Sequence, residues 1–297
     1  ESTWADADKS LSAELATLRA TDAPVYFLSA SVNSPTKQVS IDAFLATFNN
    51  GQHVVYDPIS SSAILDAHEH THGKRALPHY RFDKAELVVS LDADFLGTWI
   101  SPVEYTAGYQ SLRQLDGEHP HQSYHVQFES RMSLTGTNAD KRYRVSPQDL
   151  GQIVNQLAAA VAEKTHKTFA AAPIEHPAVP QADIQELAER LVEAKRKSLV
   201  ISGSQDVGIQ KVCNFINDAL GNYGSTINIA KPSSQRQGND AALASFTTTL
   251  LAGKAGAVFI ADINPVYDLP EGKAIADALA SLATSVSFAA RPDETST

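Results

Sequence analysis

The chain has 297 residues, 43% of them hydrophobic and 20% charged, with 24 Lys+Arg against 34 Asp+Glu. That length is a prior for about two domains, and the apolar share is that of a globular protein with a sizeable core, which excludes wholesale disorder. A net charge of -10 excludes the concentrated basic face that nucleic acid needs, and the lone Cys213 excludes a disulfide or a four-thiolate iron–sulfur cluster built from this chain.

Leu11, Leu15 and Leu18 recur at helical spacing, and after Pro24 the run Val25-Tyr26-Phe27-Leu28 reads as a buried strand. Ser40 is placed to cap a helix through Phe48, with Ile41, Phe44, Leu45 and Phe48 on its apolar side. Val54-Val55-Tyr56 is the next strand, and a helix from about Ser61 stops at Gly73. Leu87-Val88-Val89-Ser90-Leu91 is the clearest strand of the first half. After the loop 92–100, Ser101-Pro102-Val103-Glu104 combines a capping box with Pro at the first helical position, predicting a helix that ends near Asp116-Gly117. Tyr124–Phe128 reads as a strand with Glu129 at its exit, and Pro147 leads into a helix through Ala162. Pro173, Pro177 and Pro180 mark a linker. Beyond it come a helix over 184–194, a strand over 198–202, a helix over 207–220 closed by Gly221, and a strand over 226–229. A helix over 241–251, a strand over 257–261, a helix over 272–282 and a strand over 286–288 complete the chain. This alternation predicts a doubly wound α/β protein with mainly parallel sheets, without a repeat of fixed period. No stretch reaches the ~18 consecutive apolar residues of a membrane span. A start at Glu1 and a single Met, Met132, suggest a mature form or an excised piece, with no signal peptide visible.

In open parallel sheets chemistry belongs in the loops at the carboxyl ends of strands. The loop Asp92-Ala93-Asp94-Phe95-Leu96-Gly97-Thr98-Trp99 holds one glycine and two carboxylates, which would repel a pyrophosphate. Gly203-Ser204-Gln205-Asp206-Val207-Gly208 has two glycines between a strand and a helix but no Lys-Ser/Thr of a P-loop. Asp262-Ile263-Asn264-Pro265 carries an Asn-Pro turn that either donates an amide to a ligand or simply turns the chain. His68 and His72 share a helix face, making them weak metal candidates, although no carboxylate completes the shell. His119, His121 and His125 read as loop and edge residues. There is no G-x-S-x-G elbow, and Cys213 between Val212 and Phe215 reads as an inert buried thiol.

Taken in order, Tyr56-Asp57-Pro58-Ile59-Ser60, Gly73-Lys74-Arg75-Ala76-Leu77-Pro78, 89–99, 128–136, Gly221-Asn222-Tyr223-Gly224-Ser225-Thr226 and 263–267 resemble one branch of the molybdopterin oxidoreductase superfamily. That branch is the molybdopterin-like region of the iron–sulfur subunit (ActB) of alternative complex III, a bacterial quinol-oxidising respiratory complex. The resemblance runs from Trp4 to Thr295. It implies two Rossmann-like three-layer domains, one inserted in the other: 1–80 with 182–297, and 81–172, joined by a Pro-rich crossing at 173–181. It implies a parent on the periplasmic side of the inner membrane, with the iron–sulfur clusters outside this chain. The partners would be that iron–sulfur part and other respiratory subunits.

Carried over residue by residue, Glu129 matches the acidic residue that holds a ribose, and Glu129-Ser130-Arg131 replaces Asp-Pro-Arg. Asp57 falls near the molybdenum ligand, and Asn264-Pro265 keeps its pattern. The acidic 92–94 replaces a glycine-containing Asn-Pro turn. The resemblance thus implies a structural, non-catalytic domain that has lost its molybdopterin guanine dinucleotide. Two alternatives stand beside it. One is a catalytic fragment with Asp57 on the metal and Glu129, Arg131 and Asn264 around the dinucleotide. The other is a small-nucleotide-binding Rossmann protein using Gly203, Glu129 and Asn264.

Overall fold

A computed structural model of the chain describes residues 3–115, 122–171 and 176–297. The chain divides into two compact units, the first formed by Glu1–Ser62 with Ser234–Thr297 and the second by Ala63–Ser233. Asp116-Gly117, His119, His121 and Pro173 lie outside the described residues.

Thr3 caps α1 (Trp4–Arg19) by accepting from the Asp6 N–H, and Leu11, Leu15 and Leu18 line its inner side. β1 (Val25–Ser29) is buried at every position, as a strand covered on both faces must be. α2 (Pro35–Leu45) is capped by Ser34 with Pro35 at its first position. Ser40 is therefore not the cap; its hydroxyl turns back onto the Thr36 carbonyl from within the helix. β2 (Gly51–Val55) ends the first segment of this unit.

The second unit opens with α3 (Ser62–His72) and continues through β3 (Leu77–Tyr80), β4 (Leu87–Leu91), α4 (Pro102–Ser111) and β5 (Tyr124–Glu129). The expected capping box of α4 does not form: Ser101 makes no cap bond, and its hydroxyl donates instead to Glu104 Oε2 at 3.2 Å. The short α5 (Leu134–Thr137) and the edge strand β6 (Lys141–Arg144) precede α6 (Leu150–Thr165), α7 (Gln181–Glu193), β7 (Ser198–Ser202), α8 (Val207–Ala219) and β8 (Ile227–Ser233). Back in the first unit come α9 (Asp240–Leu251), β9 (Ala257–Ala261), α10 (Pro265–Asp268), α11 (Gly272–Ser281) and β10 (Ser285–Ser287).

Each unit is a three-layer α/β sandwich. The first carries a parallel sheet of order β10-β9-β1-β2 and the second one of order β6-β5-β4-β7, with β3 and β8 as a separate antiparallel pair. In the second unit, Leu87, Val89, Leu91, Val126 and Phe128 face α6, α7 and α8, while Val88, Leu199 and Ile201 face Phe82, Phe95 and Tyr105 on the other side. In the first, Tyr26 and Leu28 pack with Phe246 and Ile275, and Phe27 and Phe259 with Ile41 and Leu45. The free edge of β7 is covered by side chains that mimic a strand. The Asn217 amide accepts from Val200 N–H at 3.1 Å and donates to Val200 O at 2.7 Å.

The unit boundaries differ from those the sequence resemblance implied. β7 pairs with β4, and α7 and α8 share a core with α6, so 63–80 and 182–233 belong to the inserted unit. The prolines near 177–180 bend a loop between two helices of one core; they do not mark a crossing between units.

Candidate functional site

Both sheets change direction beside their central strand. From β4 the chain goes to β5 on one side, with β7 on the other; β2 and β9 flank β1 in the same way. At such points the carboxyl-end loops diverge and leave a crevice. The candidate residues divide between the two: Glu129, Arg131 and Gly203 in the second unit, Asp57 and Asn264 in the first.

Along β5, Val126 and Phe128 point into the helical core, so the two-residue period puts His125, Gln127 and Glu129 on the opposite face. They form a hydrogen-bonded row. The Tyr109 hydroxyl lies 3.2 Å from His125 Nδ1, His125 Nε2 lies 3.2 Å from Gln127 Oε1, and Gln127 Nε2 donates to Glu129 Oε2 at 3.2 Å. Burial pulls the His125 pKa down to about 4, so the imidazole is neutral at pH 7. With its proton on Nε2 the ring donates to Gln127 Oε1, and the single Tyr109 hydroxyl proton is shared between Nδ1 and the Asn138 carbonyl 3.1 Å away.

Glu129 is 1% exposed and accepts from Ser133 Oγ at 2.6 Å, Ser133 N–H at 3.2 Å and Arg142 Nε at 2.5 Å. Burial pushes its carboxyl up, but the Arg142 and Ser133 donors outweigh that and hold it below the usual range. Gly136 presses against this carboxylate so closely that a Cβ there would overlap it. Glu129 therefore fixes the turn after β5 instead of facing outward to a ribose. Arg131 is exposed, with its charge beside Asp92. Gly203 packs on the Asp92 carbonyl, so its missing side chain serves loop packing and not the approach of a phosphate. Asp94 Oδ1 accepts from the Thr135 N–H at 3.1 Å and its hydroxyl at 2.7 Å, and Oδ2 from Thr98 Oγ1 at 3.3 Å.

In the first unit Asp57 is 8% exposed, and its Oδ2 accepts from Ser31 Oγ at 2.9 Å and from Gly238 N–H at 3.2 Å. It ties the loops after β1 and β2 to the segment before α9. The Asn264 amide is engaged at both ends: Oδ1 accepts from Thr295 Oγ1 at 2.6 Å, and Nδ2 donates to Glu294 Oε2 at 2.7 Å. Lys37 and Asp262 form an ion pair next to this turn.

The histidine pair does not converge on a metal. His68 Nδ1–H donates to Ile64 O at 2.7 Å and its Nε2 faces the Tyr223 hydroxyl at 3.1 Å, while burial lowers its pKa to about 4. His72 packs on the Tyr223 ring at 4.1 Å. Among the described residues no group of three His, Cys, Asp or Glu stands together to hold a metal ion. Cys213 is buried, and desolvation pushes its thiol up to about 12, which leaves it unreactive.

Each of these groups is engaged within its own unit: Glu129 by Ser133 and Arg142, Asn264 by Thr295 and Glu294, and Asp57 by Ser31 and Gly238.

Sequence reasoning missed Thr135 and Thr295. The signal was there in spacing: Phe128-x-x-Arg131-x-Ser133-x-Thr135-x-Thr137 is matched by Phe288-x-x-Arg291-x-Asp293-x-Thr295-x-Thr297. The turns that these threonines meet are separated from them by different lengths of chain, so no fixed period betrays the pairing.

No family model and no curated protein matches the sequence. Among solved structures the chain is similar to acetylene hydratase from Pelobacter acetylenicus, with TM-score 0.67 and 11% identity over 97% of this chain and 50% of that one. It is also similar to a chain of the formyltransferase/hydrolase complex (FhcABCD) from Methylorubrum extorquens, with TM-score 0.54 and 15% identity over 96% of this chain and 80% of that one. The chain thus spans half the length of the hydratase. At these identities the likeness shows the fold alone: Rossmann-like α/β domains.

Proposed function

We propose that the chain is a non-catalytic, molybdopterin-oxidoreductase-like structural domain of a quinol-oxidising respiratory electron-transfer subunit, the iron–sulfur subunit ActB of alternative complex III. It braces the iron–sulfur part of its parent and neighbouring subunits on the periplasmic side of the membrane, and electrons pass through centres outside it. Alone, it turns nothing over. The observation that carries this reading is the Glu129 carboxylate, buried and saturated by Ser133 and Arg142 at the very place where a ribose would be held. The fold shared with acetylene hydratase and the ordered motifs from Asp57 to Asn264 support the superfamily assignment. No described helix is long and apolar enough to cross a membrane.

Calorimetric titration of the purified chain with guanosine mono- and diphosphate tests the reading. We expect no heat of binding at millimolar nucleotide. Micromolar binding that disappears in Glu129→Gln would contradict it and favour a nucleotide-binding Rossmann protein.

A further inference from the structure

The two units close their ligand-side turns with the same device. After β4, Asp92 takes a left-handed backbone (φ 57°), and after β9 Asp262 does so (φ 62°). Two residues on stand Asp94 and Asn264, and two further on the amides of Leu96 and Val266. In each unit one threonine hydroxyl, from the segment that follows the neighbouring strand, answers both groups. Thr135 Oγ1 donates to Asp94 Oδ1 at 2.7 Å and accepts from Leu96 N–H at 2.9 Å. Thr295 Oγ1 donates to Asn264 Oδ1 at 2.6 Å and accepts from Val266 N–H at 3.1 Å.

The segments that carry the threonines are built alike as well. Ser133 Oγ accepts from Gly136 N–H at 3.0 Å, and Asp293 Oδ1 from Ser296 N–H at 2.8 Å. The carbonyls of Ser133 and Asp293 accept from Thr137 and Thr297 N–H at 3.0 and 3.1 Å. Each bonded pair of segments borders a cleft. One, of about 350 Å³, has Leu96 of the turn and Leu134 of the threonine segment in its wall; the other, of about 530 Å³, has Asn264 and Asp293.

We propose that Thr135 and Thr295 are latches: each hydroxyl straps the segment after β5 or β10 to the turn beside it and holds in place the part of the cleft wall that the two share. Because an alcohol fills the donor–acceptor pair in both units, an opened turn presents the complement of a hydroxyl group. The latch does not rest on the proposed function.

Hydrogen exchange of the full chain, followed on peptides that cover 92–97 and 263–268, tests the latches separately. Thr135→Val should raise exchange at Leu96 about tenfold and leave Val266 unchanged, and Thr295→Val should do the reverse. The Ser variants, which keep the hydroxyl, should restore protection. If Thr135→Val does not fold, Asp94→Ala removes the acceptor of the same bond and should accelerate the same peptide. Unchanged exchange in the Val variants, or equal acceleration in the Val and Ser variants, would overturn the proposal, and so would a response in one unit only.

Discussion

The turn after β4 and the turn after β9 share a backbone and a threonine partner, yet one is built around a charge and the other around an amide. Asp94 needs only donors, and it finds them in a threonine that is fully buried. Asn264 needs a donor and an acceptor, and finds Thr295 and Glu294 on a segment more open to solvent. The contrast continues one step away: Glu129 lies buried under its turn, whereas Ala289 occupies the matching place in the first unit and is exposed. The second unit therefore holds its mouth with buried charge that depends on complete neutralisation, and the first with bonds nearer water, one to the Thr295 hydroxyl and one to the exposed Glu294 carboxylate, each worth about 1 kcal/mol.

The largest expected effect follows from that charge. Glu129→Ala strips Arg142, Ser133 and Gln127 of their common acceptor, and should cost about 3 kcal/mol, lowering Tm by roughly 8 °C in a calorimetric scan. Ala289→Ser, its counterpart, should change stability by less than about 0.5 kcal/mol.

Acidification should separate the units next. His68 and His125 have folded pKa values depressed to about 4, so between the unfolded value near 6.5 and 4 the unfolded chain binds protons that the folded one does not. Stability therefore falls as pH drops through that window, by up to about 1.4 kcal/mol per pH unit for each histidine. Glu129, lowered when folded, adds a loss at still lower pH as it is protonated. Among the described residues of the first unit only the His53 imidazole is lowered by burial, so the second unit should melt first in acid. Trp99 packs on Tyr80 and Tyr105 in the second unit while Trp4 is exposed, so tryptophan fluorescence in urea at pH 7.5 and pH 5 reads that loss.

Smaller effects belong to the first unit. Thr295→Val should cost about 1 kcal/mol in urea titration. Asp262→Asn keeps a residue that tolerates left-handed backbone and removes only an exposed pair with Lys37; it should cost at most about 0.5 kcal/mol, and nothing in 1 M salt.

The fold class was legible because its strands are continuous apolar runs: 25–28, 87–91 and 257–261 read as buried strands and are. β3 and β6 were not, since Leu77-Pro78-His79-Tyr80 contains a proline and Lys141-Arg142-Tyr143-Arg144 is an edge dominated by charge. The unit boundary carried over from the resemblance was misplaced, and the proline-rich loop could not correct it, because it says nothing about which sheet the next strand joins. Of the site, spacing located Glu129 at a strand exit and Asn264 in a turn, and it flagged the acidic loop at 92–94. What occupies those groups came from residues distant in sequence: Arg142 on β6, Thr135 after β5, and Thr295 beyond β10. A hydrogen bond between two loops leaves no local pattern, and only the matched spacing of the two threonine segments hinted at it.

The central claim is that the polar groups of these two turns are engaged by the protein's own side chains. Elemental analysis of the purified protein for molybdenum and tungsten, with fluorescence of oxidised pterin in its acid extract, tests this most directly. We predict both at background level, in the parent protein and in an Asp57→Ala variant alike. Stoichiometric metal together with a pterin, lost together in Asp57→Ala, would contradict the account.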